Sequence, residues 1–402
     1  MKKTIAVLGT LDTKGNEHVY IASLIKSQGY DVLLIDIGTG VEPQVVPHIS
    51  RWDIAAEAGI DLSAALARQD RGEAVAAMVQ AAPWMLDRLH REGRIDGVIS
   101  LGGGGGTAIA SAAMRALPIG FPKLIVSTLA SGQTAHYVGT KDIVMMPSIV
   151  DIQGLNQVSK IIFSRAAGAI MGMVSAILPS HVEKPIIVAS MFGNTTACVN
   201  AAIPILETAG YEVLVFAATG TGGKAMESLI ESGLVAAVLD ITTTELADEL
   251  VGGVLSAGPD RLKATGKVQI PSIVVPGCLD MVNFGERSSV PERFLGRRFY
   301  QHNPQVTLMR TTTEECRELA IRLTNIVNTY RAPTTVLIPQ KAISVVSAPG
   351  GPFHDPEADQ ALFETIAANL APHINIEHYD LEINDPEFAR ICANRLLTHL
   401  SN

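Results

Sequence analysis

The chain repeats itself, and the repeat limits what it can fold into. Placing Ile5 over Ile186 sets TIAVLGTLDTKGNEHVYIASLIKSQGYDVLLIDIGTG beside PIIVASMFGNTTACVNAAIPILETAGYEVLVFAATGT without a gap, and Gly29-Tyr30-Asp31-Val32-Leu33 falls on Gly210-Tyr211-Glu212-Val213-Leu214. Farther on, RIDGVISLGGGGGTAIA corresponds to LVAAVLDITTTELAD, and FPKLIVSTLASG to IPSIVVPGCLDMVNFG. In each copy short β-branched runs alternate with longer helical patterns, the rhythm of a parallel sheet covered by helices on both faces. The expected fold is therefore α/β: two Rossmann-like parallel-sheet domains related by internal duplication, residues 1–182 and 183–402, with a C-terminal extension of the second. The spacing predicts a helix from Glu17 to Ser27 and a crossover helix from Ile152 to Leu178. In the extension it predicts strands at Thr335–Ile338 and Ile376–Tyr379 and helices after Pro356 and from Asp385.

A length of 402 residues suits two cores, and 47% hydrophobic against 18% charged residues leaves no room for a long disordered tail. A net charge of -9 argues against nucleic acid or an anionic membrane as the main partner, because both need a basic face. Cys198, Cys278, Cys316 and Cys392 are widely separated, a pattern that suits a reducing, cytoplasmic setting. The uncharged runs Gly97 to Met114 and Ala166 to Val182 approach membrane-spanning length. Six glycines in the first, and Gly168, Gly172, Pro179 and His181 in the second, argue against a transmembrane helix.

Ligands of open α/β sheets bind in the loops that follow the strands. Those loops, among them GTLDTKG, DIGTG, LGGGGGT and STLASGQT in the first copy and ATGTGGK and DITTTE in the second, are rich in Gly, Ser and Thr, which offer hydroxyls and open backbone N–H groups to phosphate or carboxylate oxygens. The five consecutive glycines, Gly102, Gly103, Gly104, Gly105 and Gly106, are the sharpest feature. Glycine loses the most backbone entropy on folding, so such a run needs a reason, such as left-handed turns or close approach of a ligand; a tight, closely packed strand-to-helix turn with no ligand is the plain alternative. Thr107 is placed to cap the following helix or to point its hydroxyl at that ligand. Neither standard fingerprint fits. ATGTGGKA lacks the first glycine and last hydroxyl of a P-loop, and GxGxxG from Gly102 would need glycine where Thr107 stands. Asp12, Thr13 and Lys14 join an acid, a hydroxyl and a base on the first loop, suited to Mg²⁺ or ribose and to phosphate, and Arg71 offers a phosphate clamp. A capped helix start with a solvated lysine, and a surface arginine, are the plain alternatives. In the second copy Asp240 stands at a strand end with Glu245 and Asp248 on the helix that follows, and Cys278 and Asp280 stand at another strand end; a capping box with exposed acids and a buried, inert cysteine are the plain alternatives. His302, Asn303 and Arg310 are suited to gripping an acidic substrate across an interdomain cleft. Neither HExxH nor GxSxG occurs, and no metal-ligand set is evident.

Taken together, LGTLDTKG, LGGGGGTAIASAAMRALPIGFPKLIVSTLASGQT, MFGNTTACVNA, ATGTGGKAMESLI, LDITTTELADELVGG, LDMVNFG and HNPQVTLMRTT resemble the bacterial and plant family of Tm-one-like ATP-binding proteins, which includes the N-terminal part of the tomato mosaic virus resistance protein. The resemblance implies ATP with Mg²⁺ in the N-terminal domain and a homodimer. It would place the nucleotide on Asp12, Thr13, Lys14, Gly38, Thr39, Arg71 and Gly102 to Thr107. Where the resistance protein carries a serine in the glycine run, this chain has Gly104, so a hydroxyl is lost and the backbone donors remain. The leading expectation is an ATP-Mg-binding protein acting on a small acidic or carbonyl metabolite in the interdomain cleft, with Asp240, Glu245, Asp280 and His302 as catalytic candidates. Two other readings stay open: a non-catalytic, nucleotide-responsive binding module, and an ATP-independent enzyme of sugar-acid catabolism.

Overall fold

A computed structural model describes residues 2–177 and 184–401. It divides into two compact units, Met1–Ser180 and His181–Asn402. The expected boundary at 182/183 and Leu178, the expected helix end, lie outside the described residues.

In the first unit the strands are β1 (Thr4–Gly9), β2 (Asp31–Asp36), β3 (Gly97–Gly102), β4 (Lys123–Ser127) and β5 (Val144–Pro147). All pair in parallel, in the order β2-β1-β3-β4-β5. Helices α1 (Leu11–Ser27), α2 (Arg51–Glu57), α3 (Leu62–Ala67), α4 (Arg71–Arg91), α5 (Gly104–Arg115), α6 (Ala135–Val138) and α7 (Gln157–Ser175) accompany them. Ile21 and Ile25 of α1 and Phe163, Ala166 and Ile170 of α7 cover one face of the sheet with Val7, Ile99 and Val126. Met78, Met85 and Leu89 of α4 and Ile109 and Ala113 of α5 cover the other with Ala6, Leu8 and Ile125. Helix α7 has the length and hydropathy of a membrane span, yet its apolar side packs on the sheet. Helix α1 begins six residues earlier than the periodicity predicts, with a break at Lys14 (φ -132°, ψ 29°).

The second unit holds β6 (Ile186–Met191), β7 (Glu212–Ala217), β8 (Val235–Thr242), β9 (Ser272–Gly277), β10 (Met281–Phe284), β11 (Phe299–Asn303), β12 (Val306–Arg310), β13 (Thr334–Pro339) and β14 (Asn375–Tyr379). Its helices are α8 (Thr196–Thr208), α9 (Thr221–Glu231), α10 (Glu245–Val251), α11 (Lys263–Val268), α12 (Thr313–Val327), α13 (Pro356–Asn369) and α14 (Pro386–Ser401). The main sheet runs β14-β13-β9-β8-β6-β7, so the C-terminal residues do extend it. Its first four strands in sequence, β6 to β9, take the same order as β1 to β4 of the first unit. An antiparallel sheet, β10-β12-β11, was not foreseen; β10 falls at the end of the stretch aligned with FPKLIVSTLASG, and β11 and β12 lie beyond it.

One buried histidine ties the first loop to the third strand. His18 is fully buried; its Nε2 accepts the Leu101 N–H at 3.3 Å, so Nδ1 carries the proton and donates to the Lys14 carbonyl at 2.6 Å. Burial lowers its pKa, consistent with this neutral tautomer. A Cβ on Gly9 would lie 2.2 Å from Nε2. Gly9→Ala is therefore expected to destabilise the protein by about 1–3 kcal/mol in urea unfolding; an unchanged midpoint would show that His18 does not hold this position.

Candidate functional site

In the first sheet the strand order reverses between β1 and β3, which is where open α/β sheets take ligands. A cleft of about 790 Å³ opens there, bounded by Thr10 to Lys14 after β1, Thr39 and Gly40 after β2, Arg71 of α4, and Gly103 to Gly106. Of the expected nucleotide residues the fold gathers Asp12, Thr13, Lys14, Thr39, Arg71, Gly103, Gly104, Gly105 and Gly106 on its walls. Helix α5 starts with Gly103 at the N-cap and no side-chain cap, leaving the first-turn N–H groups of Gly104, Gly105 and Gly106 without a protein acceptor among the described residues. Arg71 makes no ion pair or side-chain hydrogen bond among the described residues, and its Nη2 lies 3.9 Å from where a Gly105 Cβ would be. Lys14 donates from Nζ to the Ile152 carbonyl, which holds it at the cleft wall.

Three expected ligand residues serve the scaffold instead. Thr107 neither caps α5 nor faces the cleft: it is fully buried, donates to the Gly102 carbonyl at 3.3 Å and shares a 2.7 Å hydrogen bond with Ser127. A Cβ on Gly102 would lie 2.6 Å from the Thr107 nitrogen, so this glycine is required by the turn. One on Gly38 would lie 2.8 Å from both Arg51 Nη2 and Asp12, so it too is a packing glycine. Arg51, which the sequence reading did not single out, explains that crowding. Its Nε donates to Asp36 at 2.7 Å and its Nη1 to the Gly40 carbonyl at 3.2 Å, while Asp36 accepts the N–H groups of Leu11 and Gly38. Asp36, the acid at the end of β2, is thus consumed by the protein. Asp12 accepts the Gly40 N–H on Oδ2 at 2.7 Å, and its other oxygen lies 3.4 Å from the Thr13 hydroxyl.

The catalytic candidates of the second unit fare differently. Asp240 and Glu245 are buried around Arg261, whose five N–H donors are all used: Nε on Glu245, Nη1 on Asp240 and Glu227, and Nη2 on Asp240 and the Thr242 carbonyl, at 2.6–3.1 Å. The second oxygen of Glu245 accepts the N–H groups of Gly220 at 2.6 Å and Gly223 at 3.2 Å, at the start of α9. Asp280 is buried against Ser344. Arg310 is buried on Asp359 at 2.5 Å rather than open to a substrate, and His302 lies exposed on the edge strand β11. Burial and the neighbouring Asp280 push the Cys278 thiol well up, which disables it as a nucleophile. The structure does not assemble these groups into one accessible site.

The fold and this cleft define an open, duplicated α/β protein with an uncapped, glycine-lined helix start at the switch point of its first sheet. The chain belongs to the family described as Uncharacterised protein family (UPF0261): its N-terminal domain matches residues 3–179 and its C-terminal domain residues 184–400. A UPF0261 protein of Clostridium tetani is 48% identical over 399 residues, 99% of each chain. UPF0261 protein RA0729 of Rhizobium meliloti is 46% identical over 96% of each chain. The ToMV resistance protein Tm-1(GCR237) of Solanum lycopersicum is 44% identical over 335 residues, 81% of this chain and 44% of the tomato protein.

The buried acids leave a signature in pH. Burial raises Asp248 from its ordinary 3.8 to about 7, against the pull of hydrogen bonds from the Asn283 side chain and backbone. Between those values the folded chain keeps a proton that the unfolded chain has released. The associated stability is complete below the unfolded value and is lost as pH rises to the folded one, by at most about 1.4 kcal/mol per unit. Asp248→Asn does not titrate. Its stability relative to wild type is expected to improve by about 2–3 kcal/mol between pH 4.5 and 6.5 in paired urea titrations; a constant difference would refute the assignment.

Proposed function

We propose that the N-terminal unit binds ATP with Mg²⁺ and uses it on a small metabolite, in a reducing compartment such as the cytosol. One observation carries this reading: Gly103, Gly104, Gly105 and Gly106 all have ordinary backbone angles, and a Cβ on any of them would meet nothing nearer than 3.5 Å. Neither left-handed turns nor packing asks for glycine at these four positions. Three of them open a helix, where alanine would be favoured by as much as about 1 kcal/mol each. The space their missing side chains leave is the cleft, and a phosphate chain lying against the backbone N–H groups accounts for it.

The other residues fit the same ligand. Arg71 and Lys14 would neutralise phosphate oxygens, and Asp12 with the Thr13 hydroxyl would share a Mg²⁺ with them; a nucleotide-borne Mg²⁺ needs only one or two carboxylates. Because Arg51 and two backbone donors occupy Asp36, ribose recognition would fall to Thr39. The acidic or carbonyl class expected for the metabolite loses its basis, since Arg310 is paired and Asp240 and Glu245 are enclosed.

Gly104→Val, which places a side chain in the cleft, is expected to weaken ATP-Mg²⁺ binding by about tenfold or more in calorimetry. Its unfolding free energy should be unchanged or slightly higher, because valine is a better helix residue than glycine. Full ATP affinity in that variant, or failure of the wild-type chain to bind ATP, would sink the proposal.

A further inference from the structure

A second cleft, of about 590 Å³, adjoins the first at the ends of β4 and β5 and is lined by Ser127, Thr128, Ser131, Ser148, Ile149 and Asp151. The floors of the two clefts are bonded together. Thr128 donates its N–H to the Gly102 carbonyl at 3.2 Å, the hydroxyls of Ser127 and Thr107 meet at 2.7 Å, and a Cβ on Gly103 would lie 3.9 Å from Thr128 Oγ1. Asp151 lines both clefts. Its loop is fastened to α1 twice: Lys14 donates to the Ile152 carbonyl, and the Gly154 N–H donates to Glu17 at 2.6 Å. One oxygen of Asp151 accepts the Ile152 N–H at 2.8 Å, and the other has no partner among the described residues. The hydroxyls of Thr128 and Ser131 are also free among the described residues. Ile149, between them and Asp151, holds a left-handed φ of +66° although it is β-branched and exposed, a strain characteristic of functional loops.

We infer that this cleft holds the phosphoryl acceptor, that the acceptor is a neutral polyol or sugar hydroxyl, and that Asp151 is its general base. The inference rests on the reading of the first cleft as the ATP site. Hydroxyls and one carboxylate line the second cleft beside Pro147, Ile149 and Val150, with no Lys, Arg or His on its wall among the described residues, which selects against an anionic acceptor. In the transfer, the acceptor oxygen forms a bond to the γ-phosphorus and the bond from that phosphorus to the β,γ-bridging oxygen breaks. The electron pair leaves with ADP, and the acceptor's proton passes to the Asp151 carboxylate and on to water.

The test uses the full chain with ATP-Mg²⁺ and glycerol, erythritol, xylitol, ribose or glucose, against glycerate and gluconate. ADP release is followed in a coupled assay, and the Tm shift given by each compound is measured with a non-hydrolysable ATP analogue present. At least one neutral compound is expected to speed ADP release about tenfold or more and to raise Tm. Ser131→Trp, on an exposed loop, should abolish both effects while ATP affinity stays within about twofold, and Thr128→Val should weaken them. Asp151→Asn should keep the Tm shift but lose about 100-fold or more of acceptor-dependent ADP release. Acceleration by the acids alone, acceleration that survives Ser131→Trp, or ATP binding with no acceleration by any compound overturns this inference and leaves the ATP site standing. Failure of the wild type to bind ATP removes the ATP reading and this inference with it.

Discussion

Every α-helix that starts at the end of a strand presents backbone N–H groups that need an acceptor, and the two units of this chain meet that need in opposite ways. In the second, Glu245 swings its carboxylate onto the N–H groups of Gly220 and Gly223. The near-P-loop ATGTGGK therefore carries an internal anion where a phosphate would otherwise sit, and a Cβ on Gly223 would strike that carboxylate at 2.2 Å. In the first unit no acid among the described residues reaches the start of α5. The same physical demand closes one loop and leaves the other open to a ligand.

Closure of the second unit depends on a single guanidinium. Three carboxylates in so small a buried volume would repel one another strongly, and Arg261 offsets this only because its planar fork satisfies all five donors at once. Ser190 and Thr195 complete the seal at the switch point, donating or accepting at 2.6–2.8 Å across to Asp240 and Thr242. Arg51 plays a related but less complete part in the first unit: it secures Asp36 and the Gly40 carbonyl, and its Nη2 is left without an acceptor among the described residues. It stiffens the back of the cleft without filling it.

The sheets were legible because their information is local and periodic. The gapless alignment carries β1 and β2 onto β6 and β7 with one offset, and the buried runs and strand ends follow from hydrophobic pattern alone. The open cleft was partly legible for the same reason, since Gly103 to Gly106 and Asp12 to Lys14 each occupy one short loop. What the sequence hid was pairing at long range. Nothing in DITTTE indicates that Glu245 and Asp240 are claimed by an arginine 16 and 21 residues away, and Asp36 gives no sign of Arg51, 15 residues on at the start of α2. Thr107 was misplaced because the run of glycines let the helix begin three residues before it, at Gly104, which turned an expected cap into a buried side chain. Strands β11 and β12 lie beyond the aligned stretches, so no repeat revealed them.

The glycines therefore bear different meanings although they stand side by side. Gly102 is dictated by the turn, since any side chain would collide with Thr107. Its four successors lie in permitted backbone with room around them, and a helix start built of them is weaker than one built of alanine or serine. The duplicated domain offers a comparison: in the second unit the corresponding position reads ITTTE, whose side chains are buried and bonded within the unit. The contrast separates the glycine run from the demands of the fold: the first sheet keeps an open, glycine-lined helix start where the second is closed by its own side chains.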